Sequence, residues 1–381
     1  MVEGMQTYET PSAFLASLGG SRRRILALGE PTHSVEEFLL LRNDFFKDLV
    51  DWEGYTAIAI ESDCLAGLIV DDYISGGQGS LDEVMETGFS HDFGRMKANR
   101  ELVQRLRSSE KPLRFFGVDP PIEMSGASSP RASLVALHAF LGDAPHSLET
   151  IEELLGEDGR WSNPEAAMDP SKSVGASQDA IRLRLIADDL QNMLLSQLPR
   201  LAEEADPETL WRARLHARTA TGLLRYHAAI AGTAPDRWTR LIRVRSTMMA
   251  ENLLAIAENH RTLVFAHNSH LQRLQSHMTM GGQDLTWWSA GAIAATALGD
   301  EYAFIASALG SAPEYGVAGQ DTLEGFLSTL AAPGSIVSSA QLAEALPFEP
   351  KLRTHDYRYF PLDADRLRDS DGITYVNAAA S

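Results

Sequence analysis

Acidic and imidazole side chains stand at the ends of short apolar runs in this chain. Ile25-Leu26-Ala27-Leu28-Gly29 leads into Glu30, and Ala57-Ile58-Ala59-Ile60 leads into Glu61. Leu113 to Val118 leads into Asp119, and Leu263-Val264-Phe265-Ala266 leads into His267. Short apolar runs alternating with helical patterns read as strands covered on both faces of a parallel sheet. Such sheets bind ligands outside the carboxyl ends of their strands. If the four runs are parallel neighbours, these carboxylates and imidazoles share one crevice, and the chemistry they offer is proton transfer.

The segment Gly29-Glu30-Pro31-Thr32-His33-Ser34-Val35-Glu36-Glu37 is the first candidate. Ser34 and Glu37 have the spacing of a capping box, which predicts a helix starting at Ser34. Glu30 and His33 then lie in the strand-to-helix turn, beside unpaired helix N–H groups that favour a neutral imidazole and a nearby anion. A neutral His at a site mouth suits general-base work; the alternative is that His33 only orders the turn. Arg42 falls on an apolar helix face with Val35, Phe38, Leu39, Phe45, Phe46 and Leu49. A buried guanidinium needs a carboxylate, and Glu30 and Glu61 are the candidates, unless Arg42 snorkels to the rim. Asp119 precedes Pro120-Pro121 and either shapes that turn or joins the site. His267 and His270, three apart at a strand end, can face one pocket, where Asn268 could orient a neighbour or donate to an oxyanion. Two His and two Glu could hold a metal. A cation beside a guanidinium that competes for the same carboxylates is unfavourable, so neither metal nor cofactor is expected. No Walker A, G-x-G-x-x-G or HExxH pattern occurs, and Gly88-Phe89-Ser90-His91-Asp92 lacks the final Gly and the preceding strand of a nucleophile elbow.

These residues need elements to hold them. Strand 24–28 leads to helix 34–50, strand 55–61 to helix 62–75, and helix 96–108 to strand 113–118; this alternation predicts an α/β fold with a mainly parallel central sheet flanked by helices. From 131 to 259 the pattern becomes a long all-helical insertion, with amphipathic stretches at 176–204, 207–231 and 236–259 and a Gly/Ser/Pro-rich loop at 156–178. The α/β pattern resumes at 261–267, with further strands expected near 302–307 and 355–360. The chain thus divides into an α/β core, 1–130 with 260–381, and a helical cleft wall, 131–259. A formal charge of −19 over 381 residues argues against nucleic acid. Cys64 is the one cysteine, which leaves no intrachain disulfide and no thiolate metal cage. No apolar run is long enough to span a membrane and the start lacks a signal-peptide pattern, so a cytoplasmic enzyme is expected.

Gly29-Glu30-x-Thr32-His33 with Glu37-Phe38, Arg42 and Glu61, Phe116-Gly117-x-Asp119, Met249-Ala250-Glu251-Asn252 and Ala266-His267-Asn268-x-His270 together resemble the erythromycin esterase family, over about 22–310. The resemblance implies an α/β fold with a deep cleft at the strand ends, and hydrolysis of a macrolide lactone by water without a covalent acyl-enzyme. It implies His33 as the base that activates water, with Glu30, Arg42, Glu61, His267 and His270 around it. There are departures. Ser34 stands where Gly usually follows the His, Arg245-Ser246 replaces an Arg-Asp pair, and the wall segment 89–96 has His91, Asp92 and Arg95 in place of tryptophans. Those three polar residues are expected to touch ligand, with erythromycin a poor substrate. The expected partner is a bulky small-molecule natural product, macrolide- or polyketide-like, met in resistance or in a biosynthetic pathway. Two other readings remain open: a lyase or cyclase using the same His/Glu set, and a non-catalytic small-molecule binding protein.

Overall fold

The computed structural model describes residues 6–19, 22–123, 126–280, 282–356 and 358–379. The chain divides into two compact units, one of Met1–Val118 with Leu253–Ser381 and one of Asp119–Asn252.

The first unit is built on a mostly parallel sheet. Its strands are β1 (Thr7–Tyr8), β2 (Ile25–Glu30), β3 (Ala57–Asp63) and β4 (Arg114–Asp119). After the second unit come β7 (Thr262–His267), β10 (Tyr302–Ala312), β11 (Gly316–Val317), β12 (Ile336–Ser338) and β13 (Gly372–Ala378). The numbers between belong to two small hairpins, β5 (Ile122–Glu123) with β6 (Gly126–Ala127), and β8 (Gln275–Met280) with β9 (Gln283–Trp288). The sheet order is β1-β12-β13-β10-β2-β7-β3-β4, with β11 against β10. From β13 through β10, β2 and β7 to β3 every pairing is parallel, while β12 returns antiparallel on β13 and β1 on β12. β2 and β7 are buried at every position, as strands covered on both faces must be. Leu26, Leu28, Ile58, Ile60, Leu263 and Phe265 supply the middle of the core.

The helix after β2 spans Glu36–Asp48 and buries Phe38, Leu39, Arg42, Asn43, Phe45 and Phe46. It continues into a π-turn, Leu49–Glu53, which ends at Gly54 in the left-handed region. It does not begin at Ser34. Val35 is the N-cap and has no side-chain oxygen to cap with, while Ser34, at φ 66°, lies one residue outside the helix. The helix Leu81–Thr87 does carry a full capping box, from Ser80 and Glu83. The strand expected near 302–307 lies within β10, but the described residues of 355–360 are irregular. There the Phe360 N–H donates to the Pro31 carbonyl at 2.7 Å, and the strand comes later, as β13.

The second unit is helical, apart from the β5–β6 hairpin near its start. Helices Arg131–Leu141, Leu148–Leu155, Gln178–Ser196 and Pro207–Ile230 pack Leu134, Leu137, Ile151, Leu155, Leu183, Leu190 and Leu224 into one cluster. The Pro-rich stretch between 156 and 178 forms short 3-10 turns, of which Pro164–Ala167 and Pro170–Lys172 are two. Among the described residues no helix is long and apolar enough to cross a membrane.

Candidate active site

Three adjacent parallel strands deliver the central groups. In the β2–β7 register Glu30 pairs with His267 and Gly29 with Ala266; in the β3–β7 register Ile60 pairs with Phe265. Glu30 and His267 therefore emerge side by side at the carboxyl edge, and Glu61 follows Ile60 on the neighbouring strand. His33, three residues beyond Glu30, turns back over them.

His33 Nδ1 lies 2.7 Å from Glu30 Oε1, and Nε2 lies 3.8 Å from Glu61 Oε1. The carboxylate of Glu30 accepts the Nδ1 proton, which leaves the Nε2 lone pair on the ring edge facing Glu61. The side chains of Glu30 and Glu61 are 3% and 5% exposed, whereas that of His33 is 40% exposed. Burial raises the Glu30 carboxyl above its ordinary value, and the His33 bond and charge pull it back. Glu30 Oε2 is buried without a hydrogen-bond partner. Glu61 is oriented by two donors, the His267 main-chain N–H to Oε2 at 2.8 Å and His270 Nε2 to Oε1 at 3.1 Å.

His267 is brought to the cluster, but both its ring nitrogens are engaged. Nε2–H donates to the Pro31 carbonyl at 3.0 Å, and Nδ1 accepts from the Ser269 hydroxyl at 2.7 Å. Burial, with the positive charge that His33 would bring, lowers its pKa to about 3, so the ring is neutral at ordinary pH. It ties the end of β7 to the turn that carries His33, a positioning role. Its ring stands 5.1 Å from that of His33.

Arg42 differs from expectation. It is 1% exposed and reaches neither Glu30 nor Glu61 as an ion pair. Its Nε and Nη2 donate to Asn43 Oδ1 at 3.1 and 2.8 Å, its Nη1 donates to Asn99 Oδ1 at 2.9 Å, and its guanidinium lies 5.1 Å from the Phe265 ring centre. Burial lowers its pKa to about 9, and the field of Glu30 works against that shift. Carboxamide oxygens replace the carboxylate: they satisfy the donors without adding charge to a site that already buries two acids.

A small cavity, with room for about one water molecule, adjoins these groups. Glu30, Arg42, Glu61, Asn99, Phe93 and Met96 are among its walls, with Ser34 and Phe265. The Phe93 ring stands 5.7 Å from that of His33. His91, Asp92 and Arg95 are not among the lining side chains. Asp92 and Arg95 are 76% and 83% exposed and pair with each other at 3.4 Å, while His91 lies against Phe93. The segment is a wall, but its apolar members face the cavity.

Asn268, expected to orient or donate to an oxyanion, is fully buried and spends its amide on the peptide of Ser307. Nδ2 donates to the carbonyl at 3.1 Å and Oδ1 accepts from the N–H at 3.3 Å. β10 pairs with β2 only as far as Ile305 opposite Leu28, and Asn268 takes over where β2 leaves. This explains Gly29: a Cβ there would meet Asn268 Oδ1 at 2.1 Å. Asp119 belongs to the helical unit, where Arg245 Nε and Nη2 donate to its two oxygens at 2.8 and 2.5 Å. That bidentate pair accounts for its complete burial without a ligand.

Asn43, Asn99 and Glu36 were not anticipated. Glu36 caps the helix Lys97–Arg107, accepting from the N–H groups of Lys97 at 2.7 Å and Ala98 at 3.0 Å. Among the described residues no group of three or more His, Cys, Asp or Glu side chains is disposed to hold a metal ion.

The fold and this strand-edge cluster define an α/β protein with an acid–base site at the carboxyl edge of its sheet. The erythromycin esterase family model matches residues 50–338, and the chain belongs to that family. It is similar to Escherichia coli erythromycin esterase type II, at 25% identity over 66% of this chain and 61% of the relative. Similarity to the type I enzyme of the same organism is 24% over 66% and 62%. The chain thus spans about three fifths of these relatives' length. Its fold is that of a crystallised Bacillus cereus protein, with TM-score 0.71 at 16% identity, covering 98% of this chain and 94% of that one. It is also that of a mutant of erythromycin esterase EreC in its open conformation, with TM-score 0.69 at 18% identity, covering 94% and 92%.

Proposed function

We propose that this protein is a hydrolase that adds water to an ester or lactone of a bulky natural product, macrolide- or polyketide-like, with His33 as general base and no covalent intermediate. The observation that carries the reading is the 2.7 Å Glu30–His33 contact on an imidazole that stays open to solvent. Glu30 fixes the ring and stabilises the imidazolium that forms. Nε2 takes a proton from water as the oxygen adds to the carbonyl carbon and the carbonyl pair moves to oxygen. Collapse of that alkoxide breaks the ester C–O bond, and His33 returns the proton to the departing alcohol oxygen. The products are a carboxylic acid and an alcohol, joined in one chain when the substrate is a lactone. Glu61, across from Nε2, is placed to orient the water, and His270 and the His267 N–H hold Glu61 in turn. Family membership supports the reaction class, and the names of the E. coli relatives make erythromycin the first compound to try.

The test is turnover of erythromycin and other macrolactones in water enriched in oxygen-18. Label in the product carboxylate, with a rate that falls on the order of 10²–10⁴ in His33→Ala, is expected. Product that forms without gain of water points to a lyase or cyclase, and undiminished turnover in His33→Ala refutes the assignment.

A further inference from the structure

The segment that faces His33 is held at its downstream end by a side chain that does two jobs. Asn99 is 1% exposed on the buried face of the helix Lys97–Arg107. Its Oδ1 accepts from Arg42 Nη1 at 2.9 Å, and its Nδ2 donates to the Phe93 carbonyl at 2.8 Å. Phe93 in turn lies against His33. The turn it belongs to is strained: His91 and Asp92 both have φ 57°, left-handed values that only a well-anchored segment sustains. The upstream anchor is the Ser62–Ser90 pair, in which the Ser90 N–H donates to Ser62 Oγ and the Asp63 N–H to Ser90 Oγ, both at 2.9 Å. The downstream anchor is Asn99. Helix 97–107 is itself fixed by the Glu36 cap and by Asn43 Nδ2 on the Ala98 carbonyl at 2.8 Å.

We infer that Asn99 is a positioning residue that sets how closely the Phe93 ring stands to His33, and thereby the size of the acyl group the ester may carry beside the base. The inference rests on the hydrolase reading above. The chemistry requires a carboxamide at this position. A carboxylate would accept from Arg42 at least as well, but it could not donate to the Phe93 carbonyl. An apolar residue would serve neither partner. Arg42 thereby acts on the wall through Asn99, and its burial without an ion pair has a purpose in the site.

Asn99→Asp separates the two jobs, keeping the Arg42 half and deleting the Phe93 half. The probe is a series of p-nitrophenyl esters of rising acyl length, compared by kcat/KM. In Asn99→Asp the longer acyl chains should gain on acetate by about tenfold, the scale of apolar fit in a pocket. The pH profile should stay that of the wild type in Phe93→Ala, which adds no charge beside the Glu30–His33 pair. Phe93→Ala should shift selectivity the same way, and the double variant should shift it little further. Asn99→Ala, which drops both halves, should show the same shift with a larger loss of stability. Selectivity within about twofold of wild type in these Asn99 variants, or a loss of stability alone, overturns the inference. If the wild type hydrolyses none of the esters and no macrolactone, the hydrolase reading fails and amide exchange decides the positioning claim. Faster exchange over 90–96 in Asn99→Asp, with 36–48 unchanged, supports it, and unchanged exchange over 90–96 refutes it.

Discussion

Gly29→Ala is the smallest change that should disable this site. The added methyl carbon would sit 2.1 Å from Asn268 Oδ1 and 3.0 Å from Asn268 Cα. The second contact needs only a few tenths of an ångström of give, so the clash with the side-chain oxygen is the one that decides. Asn268 must move, and its two bonds to the Ser307 peptide lengthen or break. Both residues are fully buried, so water cannot replace those bonds. The Ser307 N–H and carbonyl are then left unpaired, and at about 1–3 kcal/mol for each such buried group the two together cost roughly 2–6 kcal/mol. Urea denaturation should show that loss as a lower midpoint at constant slope. A double-mutant cycle makes the reasoning strict. Asn268→Ala should be destabilising alone, but in its background Gly29→Ala should add less than about 1 kcal/mol, because the clashing oxygen is gone. Additive losses, or a cost of Gly29→Ala alone under about 1 kcal/mol, would show that Asn268 is not what requires glycine here.

Ser34 carries φ 66° without being glycine, a strained conformation for a residue with a Cβ. Ser34→Gly should raise the urea stability by up to about 1 kcal/mol, and a loss would mean that the serine side chain supports the turn. Stability should also fall with acid. The folded-state pKa of His267, about 3, lies below its ordinary 6.5, so the unfolded chain binds more protons between those values. The stability this group contributes is complete above pH 6.5 and is lost as pH falls toward 3. Glu30, whose pKa is raised, runs the other way and costs stability as pH rises through its folded value. A urea midpoint at about pH 4.5 well below that at pH 7, with the gap narrowed in His267→Asn, is expected; an unchanged gap in the variant assigns the acid sensitivity elsewhere.

The strand ends were legible because burial on both faces leaves an unbroken apolar run, and a charge that ends such a run needs a reason. Glu30, Glu61 and His267 follow from that rule, and His33 follows from its offset. The partner of Arg42 was not legible. Charge reasoning looks for a carboxylate, while the structure uses two carboxamides, which leave no charge pattern. A trace existed: Asn99 sits on the same buried stripe as Ala98, Leu102, Val103 and Leu106, and a polar residue there has to answer a buried group. The helix start was misread because Ser34 and Glu37 satisfy a spacing rule that backbone dihedrals then veto. His91, Asp92 and Arg95 are expected to touch ligand because sequence shows the cleft wall only as a segment, and the small cavity is lined instead by Phe93 and Met96. Which of the segment's faces turns inward is set by Asn99 and by the left-handed pair His91–Asp92, neither of which periodicity reveals.

Neutral groups crowd the cluster of Glu30, Glu61, His33 and His267 for an electrostatic reason. Burial shifts each of Glu30, Arg42 and His267 toward its uncharged form. A further carboxylate would deepen that cost for Glu30 and Glu61, since acids in one apolar pocket repel. The surrounding contacts are instead made by amides, hydroxyls and main-chain groups: Asn43 and Asn99 on Arg42, Ser269 and Pro31 on His267. They fix positions and leave net charge alone. Against this rigid background His33 is the member most open to solvent, at 40% against 12% for His270. In the role proposed for it, His33 would gain a proton and return it, and water on one side with the Glu30 carboxylate on the other suits that role. In the mechanism proposed above, solvent limits the energetic penalty of the imidazolium, and Glu30 fixes the ring while Nε2 takes the proton of the attacking water. Tighter burial of His33 would strengthen the Glu30 contact but push the ring toward the permanently neutral state of His267, its neighbour 5.1 Å away. Exposure is what separates His33 from His267 in one cluster, and it is what suits His33 to the proposed role of base.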